Sequence, residues 1–229
     1  MAIRLEKGQR INLEKSNGSK LTQFFVGCNW GAIEKSAGLF GLRTEVVDVD
    51  VDLSCIMIDA NGRLIDTLYS PLYNKDMFTK VGLPTGKDLS ADGSMYHTPD
   101  DTEGDKGGDD GLDNEIITVD LQKVNPAIDQ IFFFLNIYSP RDIDFLKIPY
   151  AAIRMCEYEG TQKDIRKIKE VFAQYDVAKD NQFSGKNALI MGRLYRHNGD
   201  WKFAAIGDAY DDHNDLRQTI QRILKSYIK

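Results

Sequence analysis

One acidic segment of this chain has the composition of a cation-binding site. Residues 100–115, DDTEGDKGGDDGLDNE, hold eight carboxylates, and Lys106 is the one basic residue among them. Because the 229-residue chain has a formal net charge of −6, this glycine-rich segment accounts for its negative balance. Carboxylates at this density repel one another unless water and counter-ions separate them or a cation binds. The segment is therefore either a solvated charged loop or a metal-binding loop.

A second set of carboxylates alternates with valines upstream. Asp48, Asp50 and Asp52 are interleaved with the valines of residues 47–53. Residues i and i+2 of a strand share one face, so we expect the valines to face the core and the aspartates to line the other face. Like charges on one face oppose folding. Either this face is solvated near lysines or arginines, or the end of the strand supplies fixed ligands to a cation.

The donor types favour calcium or magnesium over zinc or iron, since the three histidines form no metal-binding pair. Ca²⁺ accepts about six to eight oxygens in flexible geometry, which suits an acidic, glycine-rich loop. The loop is not an EF-hand. Counting from Asp100 puts Gly111 at the twelfth position, where glutamate is required, and counting from Asp105 puts Ile116 there.

Composition excludes several other classes of protein. A pI near 5.2 argues against nucleic-acid binding, because no basic stripe is available to neutralise phosphates. The longest apolar run, residues 131–135, is too short to span a bilayer, and the N-terminus shows no apolar signal region. Three widely spaced cysteines, Cys28, Cys55 and Cys156, indicate a reduced, cytoplasmic protein.

The fold prediction is all-β: a sandwich of two antiparallel sheets with short helices and an amphipathic C-terminal helix. Many short strands separated by turn signals favour a sandwich over any βαβ fold. The clearest strands are 45–58, 128–138 and a hairpin of 188–196 with 201–206. Leucine, isoleucine and tyrosine at helical spacing predict a helix within 211–229, with Asn214 or Asp215 as its N-cap. We expect one domain over 1–229.

Four segments have weaker patterns. Residues 33–43 contain glycines without a clear period, which predicts a loop, and 74–89 is polar and broken by Gly and Pro, which predicts an excursion from the sheets. Residues 140–148 are expected to hold one helical turn. The charged segment 164–170 is expected to form a short helix.

The chain resembles the TerD/TerZ family of bacterial tellurium-resistance and stress proteins. Four segments carry the resemblance, in the family's order: 49–54 with 59–62, 92–97, the acidic segment continuing into 119–121, and 194–203. The resemblance implies a β-sandwich that binds Ca²⁺ through acidic loops and has no known catalysis. It also implies action with other Ter-type proteins, including a membrane-embedded Ter partner, so the protein would lie in the cytoplasm or at the inner membrane through that partner.

Individual residues are carried over from the resemblance by position. Asp50 and Asp52 match the family's DxD strand, Gly104 its loop glycine, and Asp113 and Glu115 the outer members of its acidic end. Asp101 stands where asparagine is usual and Asn114 where aspartate is usual, while 106–112 has the form of an insertion. The predicted ligands of two Ca²⁺ ions are Asp50, Asp52, Asp100, Gly104, Asp105, Asp109, Asp110, Asp113 and Glu115.

Two other functions remain open from the sequence. Asp50-Val51-Asp52 also resembles the DxD of some sugar-nucleotide transferases, which would make the protein a Mg²⁺- or Mn²⁺-dependent enzyme acting on a phosphate-containing substrate. Such enzymes have a nucleotide-binding α/β architecture that this β-rich pattern does not offer. The other alternative is an interaction domain whose acidic loop is solvated and free of metal. The first expectation remains a non-enzymatic calcium-binding protein.

Overall fold

A computed structural model of the chain describes residues 2–37, 43–138, 142–177, 181–212 and 215–228. Their strands, in chain order, are β1 Ile3–Arg4, β2 Arg10–Asn12, β3 Gln23–Trp30, β4 Ile33–Ala37, β5 Arg43–Val47, β6 Val51–Ile58, β7 Leu64–Leu68, β8 Met95–His97, β9 Glu115–Asp120, β10 Gln130–Ile137, β11 Ala151–Thr161, β12 Asp164–Asp176, β13 Ala188–His197 and β14 Asp200–Tyr210. The helices are α1 Lys75–Thr79, a 3₁₀ turn at Asn181–Phe183 and α2 Leu216–Ser226.

The strands form two six-stranded sheets, which confirms the predicted architecture. Sheet A has the order β1-β12-β11-β3-β9-β8, and sheet B has the order β2-β14-β13-β10-β6-β7. Their pairings are antiparallel except that β1 runs parallel to β12. The strands β4 and β5 form a separate two-stranded ribbon. The prediction of one domain over the whole chain stays a prediction.

Alternating side chains build the core between the sheets. Phe24, Val26 and Cys28 of β3 point inward and pack with residues such as Leu53 of β6 and Phe133 of β10. The strand β10 lies between β13 and β6 in sheet B, and seven of its eight residues are buried. This confirms that its continuous apolar run belongs to a strand covered on both faces.

The outer face of sheet B is covered by α2, whose apolar side packs on outward residues of β6 and β10. Ile220 and Ile223 are fully buried against this face. The helix begins after Asp215, whose side chain accepts the backbone N–H of Arg217, so the predicted cap is confirmed. The other candidate, Asn214, lies outside the described residues. The helix is shorter than the predicted span 211–229.

Two predictions about the region before β6 were wrong. Of the predicted loop 33–43, residues 33–37 form β4 and Arg43 begins its partner β5, while 38–42 lie outside the described residues. The predicted single strand 45–58 is interrupted at residues 48–50, so β5 joins the ribbon and β6 joins sheet B. The ribbon projects from the sandwich, so most of its side chains are exposed and carry no periodic apolar signal.

Two predicted helical segments were also wrong. Residues 164–170 belong to the long strand β12. The sequence pattern did not predict this strand, because three register shifts against β11 displace its isoleucines from a period of two. Within 140–148, the described residues 142–148 form turns rather than helix. The excursion 74–89 contains α1, capped by Asn74. Among the described residues, no helix has the length and apolar character needed to cross a bilayer.

Candidate functional site

Three aspartates from two parts of the chain meet at one edge of sheet B. Asp50 lies in the break before β6, Asp52 is the second residue of β6, and Asp100 follows β8. Each offers a carboxylate oxygen, and these oxygens lie within 4.8 Å of one another. We call Asp50, Asp52 and Asp100 the inner cluster. The acidic loop is held there by its backbone, since Val49 N–H donates to Glu103 O at 3.0 Å.

Burial makes the inner cluster electrostatically unfavourable without a counter-charge. Asp52 is only 3% exposed, and burial and the neighbouring Asp50 raise its pKa well above the usual range, although the Tyr73 hydroxyl donates to it at 2.7 Å. Burial and the charges of Asp100 and Asp101 raise the pKa of Asp50 to about 7. The folded chain thus holds carboxylates together against their repulsion, which a bound cation would relieve.

Two buried oxygens near Asp52 accept no hydrogen bond from the described residues. One is Asp100 Oδ1. The other is Oδ1 of Asn136, which lies directly opposite Asp52 in the pairing of β10 with β6. A buried acceptor without a donor is costly. Among the described residues that line the cleft beside Asp52 there are several oxygen acceptors and no basic side chain, as a site for a hard cation requires.

The inner cluster opens into a cleft of about 420 Å³. The segment between β7 and α1 forms one wall with Leu72 and Tyr73, and Tyr138, which directly follows β10, forms another. The rings of Tyr73 and Tyr138 meet edge to face at 5.3 Å. The carboxylates therefore lie at the bottom of a cleft with an apolar rim.

A second cluster lies further along the acidic loop. Asp105, Asp109 and Asp110 also offer oxygens within 4.8 Å of one another, and we call them the outer cluster. Asp109 and Asp110 are exposed and Asp105 is half-buried. The backbone of Asp105 is fixed beside β3, because its N–H donates to Trp30 O and its carbonyl accepts from Ala32 N–H.

Protein donors already occupy much of the outer cluster. The Tyr150 hydroxyl and the Asn114 amide donate to the two oxygens of Asp105 at 2.8 and 3.0 Å. One oxygen of Asp109 accepts both Gly111 N–H and the side-chain amide of Asn29. The outer cluster is thus more solvated and better satisfied than the inner one.

Gly104 has a conformational role in the loop. Its φ of +74° lies in the left-handed region, and a Cβ there would lie 2.6 Å from Trp30 Nε1. That indole nitrogen donates to Val49 O at 2.6 Å, next to Asp50. Glycine therefore lets the loop close over Trp30 and bring Asp100 and Asp105 to their positions.

Glu115 lies behind the inner cluster, bound to backbone groups. Its carboxylate accepts the N–H of Leu53 at 2.6 Å and of Asp101 at 3.3 Å. His97 Nε2 lies 2.6 Å from Leu53 O and 3.7 Å from the same carboxylate. Glu115 and His97 of sheet A thus contact the backbone of Leu53 in sheet B. Leu53 precedes the part of β6 that pairs with β7. Burial and Asp52 raise the pKa of Glu115 well above its usual range.

Asp113 is paired with a basic residue. Arg154 Nε lies 2.8 and 2.9 Å from its two oxygens, and the Asp113 side chain is 1% exposed. The carboxylate rests on Gly27, where a Cβ would meet it at 2.4 Å. Burial raises the pKa of Asp113 in spite of Arg154. Asp113 lies in neither the inner nor the outer cluster, whereas Glu115 borders the inner cluster, where Asp52 and Asp100 contribute to its raised pKa.

Asp48 differs from its two neighbours of the predicted strand face. It is exposed and lies 3.1 Å from Lys106 Nζ, as expected for a solvated aspartate near a lysine. Asn114 and Asp101, the exchanged positions, are hydrogen bonded to each other at 3.0 Å. Because Asn114 also binds Asp105, its amide links the loop around the inner cluster to the outer one.

Sequence reasoning missed the residues that complete these sites. They are Tyr73, Tyr138 and Asn136 around the inner cluster, and Asn29, Tyr150 and Arg154 around the outer segment. The aromatic residues carry no local signal, since tyrosines also serve as ordinary sandwich residues. The alternation of Arg154 with inward Ile153 and Met155 puts it on the outer face of β11 but does not identify its partner.

Comparisons with known proteins show the family to which the chain is similar. Residues 1–222 match the TerD domain family. Stress response protein SCP2 of Bacillus subtilis (strain 168) is 33% identical over 216 residues, covering 93% of this chain and 94% of that protein. Tellurium resistance protein TerD of Serratia marcescens is 30% identical over 212 residues, covering 92% of each.

A solved structure shares the fold. The crystal structure of a homologue of telluride resistance protein (TerD) from Streptomyces coelicolor A3(2) matches with a TM-score of 0.57 and 13% identity. The match covers 91% of this chain and 98% of that one. At this identity the likeness concerns the sandwich alone.

Proposed function

This chain belongs to the TerD domain family of tellurium-resistance and stress proteins, and from that premise we propose that it is a non-enzymatic calcium-binding protein that acts through protein partners. The observation that carries the proposal is the inner cluster: three carboxylates within 4.8 Å, one of them almost fully buried. Their chemistry fits a hard cation.

The two clusters would hold one Ca²⁺ ion each. Asp50, Asp52 and Asp100 would bind the first, with water completing its shell, because three side chains do not supply the six to eight oxygens that Ca²⁺ accepts. Asp105, Asp109 and Asp110 would bind the second. Gly104, Glu115 and Asp113 would contribute by shaping and fixing the loop, as their contacts suggest.

Action through partners is the second part of the proposal. We propose no catalytic role for the clusters. The partners would be other Ter-type proteins, including one embedded in the membrane, which would hold this chain at the cytoplasmic face of the inner membrane. Bound calcium would then control whether partners can contact the loop and the cleft.

Terbium luminescence tests calcium binding and separates the two clusters. Tb³⁺ replaces Ca²⁺ at oxygen sites and is excited by nearby tyrosines. Tyr73 is hydrogen bonded to the inner cluster and Tyr150 to the outer one. We expect two phases of luminescence on titration, with Ca²⁺ reversing both. The first should weaken in Tyr73→Phe, where Tyr138 remains as an energy donor, and the second should weaken in Tyr150→Phe.

Calorimetry of the chelated protein gives the decisive control. Millimolar Ca²⁺ should release or absorb heat and raise the melting temperature, because a ligand that binds the native state alone stabilises it. Absence of both effects would sink the calcium proposal. Saturable Mg²⁺ binding that requires a nucleotide would favour the enzyme alternative.

A further inference from the structure

The rim of the inner-cluster cleft exposes large apolar side chains. Leu72 is 74% exposed and Tyr138 is 57% exposed, although both line the cleft above the carboxylates. Water-exposed leucine and tyrosine around a polar centre are typical of a protein interface, in which apolar contacts surround and dry a central charged contact. The rim therefore indicates a docking surface for another chain.

We propose that this cleft receives an arginine side chain of a partner protein, with an apolar neighbour of that arginine packing on Leu72. Charge complementarity supports this occupant. The described residues that line the cleft include three aspartates and no lysine, arginine or histidine: Asp50, Asp52, Ser70, Leu72, Tyr73, Asp100, Thr102 and Tyr138.

The chemistry of the lining matches a guanidinium group in particular. A guanidinium supplies five N–H donors and a positive charge, whereas the cleft supplies carboxylate, hydroxyl and ring acceptors. The aromatic rings of Tyr73 and Tyr138, which also line the cleft, would add cation–π attraction. A partner carboxylate would instead face three carboxylates.

Calcium and the arginine would exclude each other, because both bind Asp50, Asp52 and Asp100. Calcium would then release the partner. This competition rests on the calcium function proposed above, whereas the docking itself does not. The two are therefore tested in separate arms of one experiment.

The experiment titrates the full chain, in chelator, with the peptide acetyl-Leu-Arg-Leu-amide and with the same peptide carrying uncharged citrulline. Binding is followed by calorimetry. We expect the affinity of the citrulline peptide to be lower by about tenfold or more, since it lacks the charge. We expect Leu72→Ser to weaken the arginine peptide by about tenfold through lost apolar contact. Leu112→Ser, a change at a 64% exposed leucine of the acidic loop, is the matched control and should have no effect.

Three outcomes would overturn the docking proposal. They are equal binding of the arginine and citrulline peptides, equal effects of Leu72→Ser and Leu112→Ser, and self-association of the chain that Leu72→Ser abolishes, which would make a second copy the occupant. In the calcium arm, saturating Ca²⁺ should displace the arginine peptide. Undiminished peptide binding to protein with measured bound Ca²⁺ would overturn the competition. Absence of Ca²⁺ binding would instead count against the calcium proposal.

Discussion

The inner and outer clusters each contain three aspartates within the same distance, yet their surroundings differ. In the inner cluster Asp52 is buried and Asp50 and Asp100 are half-buried, and burial together with neighbouring aspartates raises the pKa of Asp50 and of Asp52. The outer cluster faces water, and its oxygens accept hydrogen bonds from a tyrosine, two amides and backbone N–H groups. Equal composition thus produces one cluster of mutually repelling, partly buried carboxylates and one that is largely satisfied by the protein.

This difference predicts which cluster would change the stability of the protein most when a cation binds. In the inner cluster, an ion would replace repulsion among poorly hydrated charges, and its attraction is little screened. In the outer cluster, an ion would compete with water and existing hydrogen bonds. We therefore expect the inner cluster to dominate calcium-dependent stability.

The largest loss of stability is expected when Asp113, at the far end of the acidic loop, loses its partner Arg154. Arg154→Met would leave a buried carboxylate without its partner, which costs about 3 kcal/mol of the free energy of unfolding. Urea unfolding measures this loss. The exposed Arg166→Met is the matched control. The calcium-dependent stabilisation should remain; its loss would show that the two regions are not independent.

Asp50→Asn combined with Asp52→Asn should remove most of the calcium effect. A hundredfold excess of Ca²⁺ over its Kd stabilises by about 2.7 kcal/mol, or roughly 5–10 °C in melting temperature. Scanning calorimetry with and without Ca²⁺ measures the change. Asp109→Asn combined with Asp110→Asn is the comparison variant. An equal loss in both double variants would contradict the ranking of the clusters.

The inner cluster should also make the stability of the chelated protein depend on pH. Asp50 has a folded pKa of about 7 against about 4 in an unfolded chain. Between these values the native state keeps a proton that the unfolded chain has lost, so stability falls as pH rises from about 4 to about 7. Calcium affinity should change in the opposite direction, by up to about tenfold, or 1.4 kcal/mol, per pH unit below 7.

Unfolding midpoints in chelator at several pH values measure this dependence. Asp50→Asn should flatten the curve. A stability that rises with pH across the same window in the unsubstituted protein would show that the inner carboxylates are not destabilised by their surroundings.

The smallest change in stability is expected from substitutions in the outer cluster. Asp109→Asn combined with Asp110→Asn changes exposed side chains, so the metal-free stability should shift by no more than about 0.5 kcal/mol. In the terbium titration this variant should lose the second phase and keep the first. Loss of the first phase would mean that the acidic loop binds both ions as one unit.

Regular patterns in the sequence predicted much of the fold. The apolar run of β10, the Asn-Gly hairpin between β13 and β14 and the helical spacing of α2 are local signals, and the structure confirms each. Local signals failed where tertiary contacts decided. Register shifts against β11 break the alternation of apolar residues in β12. The side chains of the ribbon β4–β5 are mostly exposed, so its sequence shows no apolar period either.

For the candidate site, the sequence by itself determined which residues carry charge and that they are concentrated in one strand end and one loop. The tertiary structure decided which carboxylates meet. Asp50, Asp52 and Asp100 come together, while Asp113 and Glu115 turn toward Arg154 and the backbone of Leu53. The physical reason is that spacing along the chain fixes the face of a strand, whereas burial and the neighbours of a charge depend on which strands and loops pack beside it.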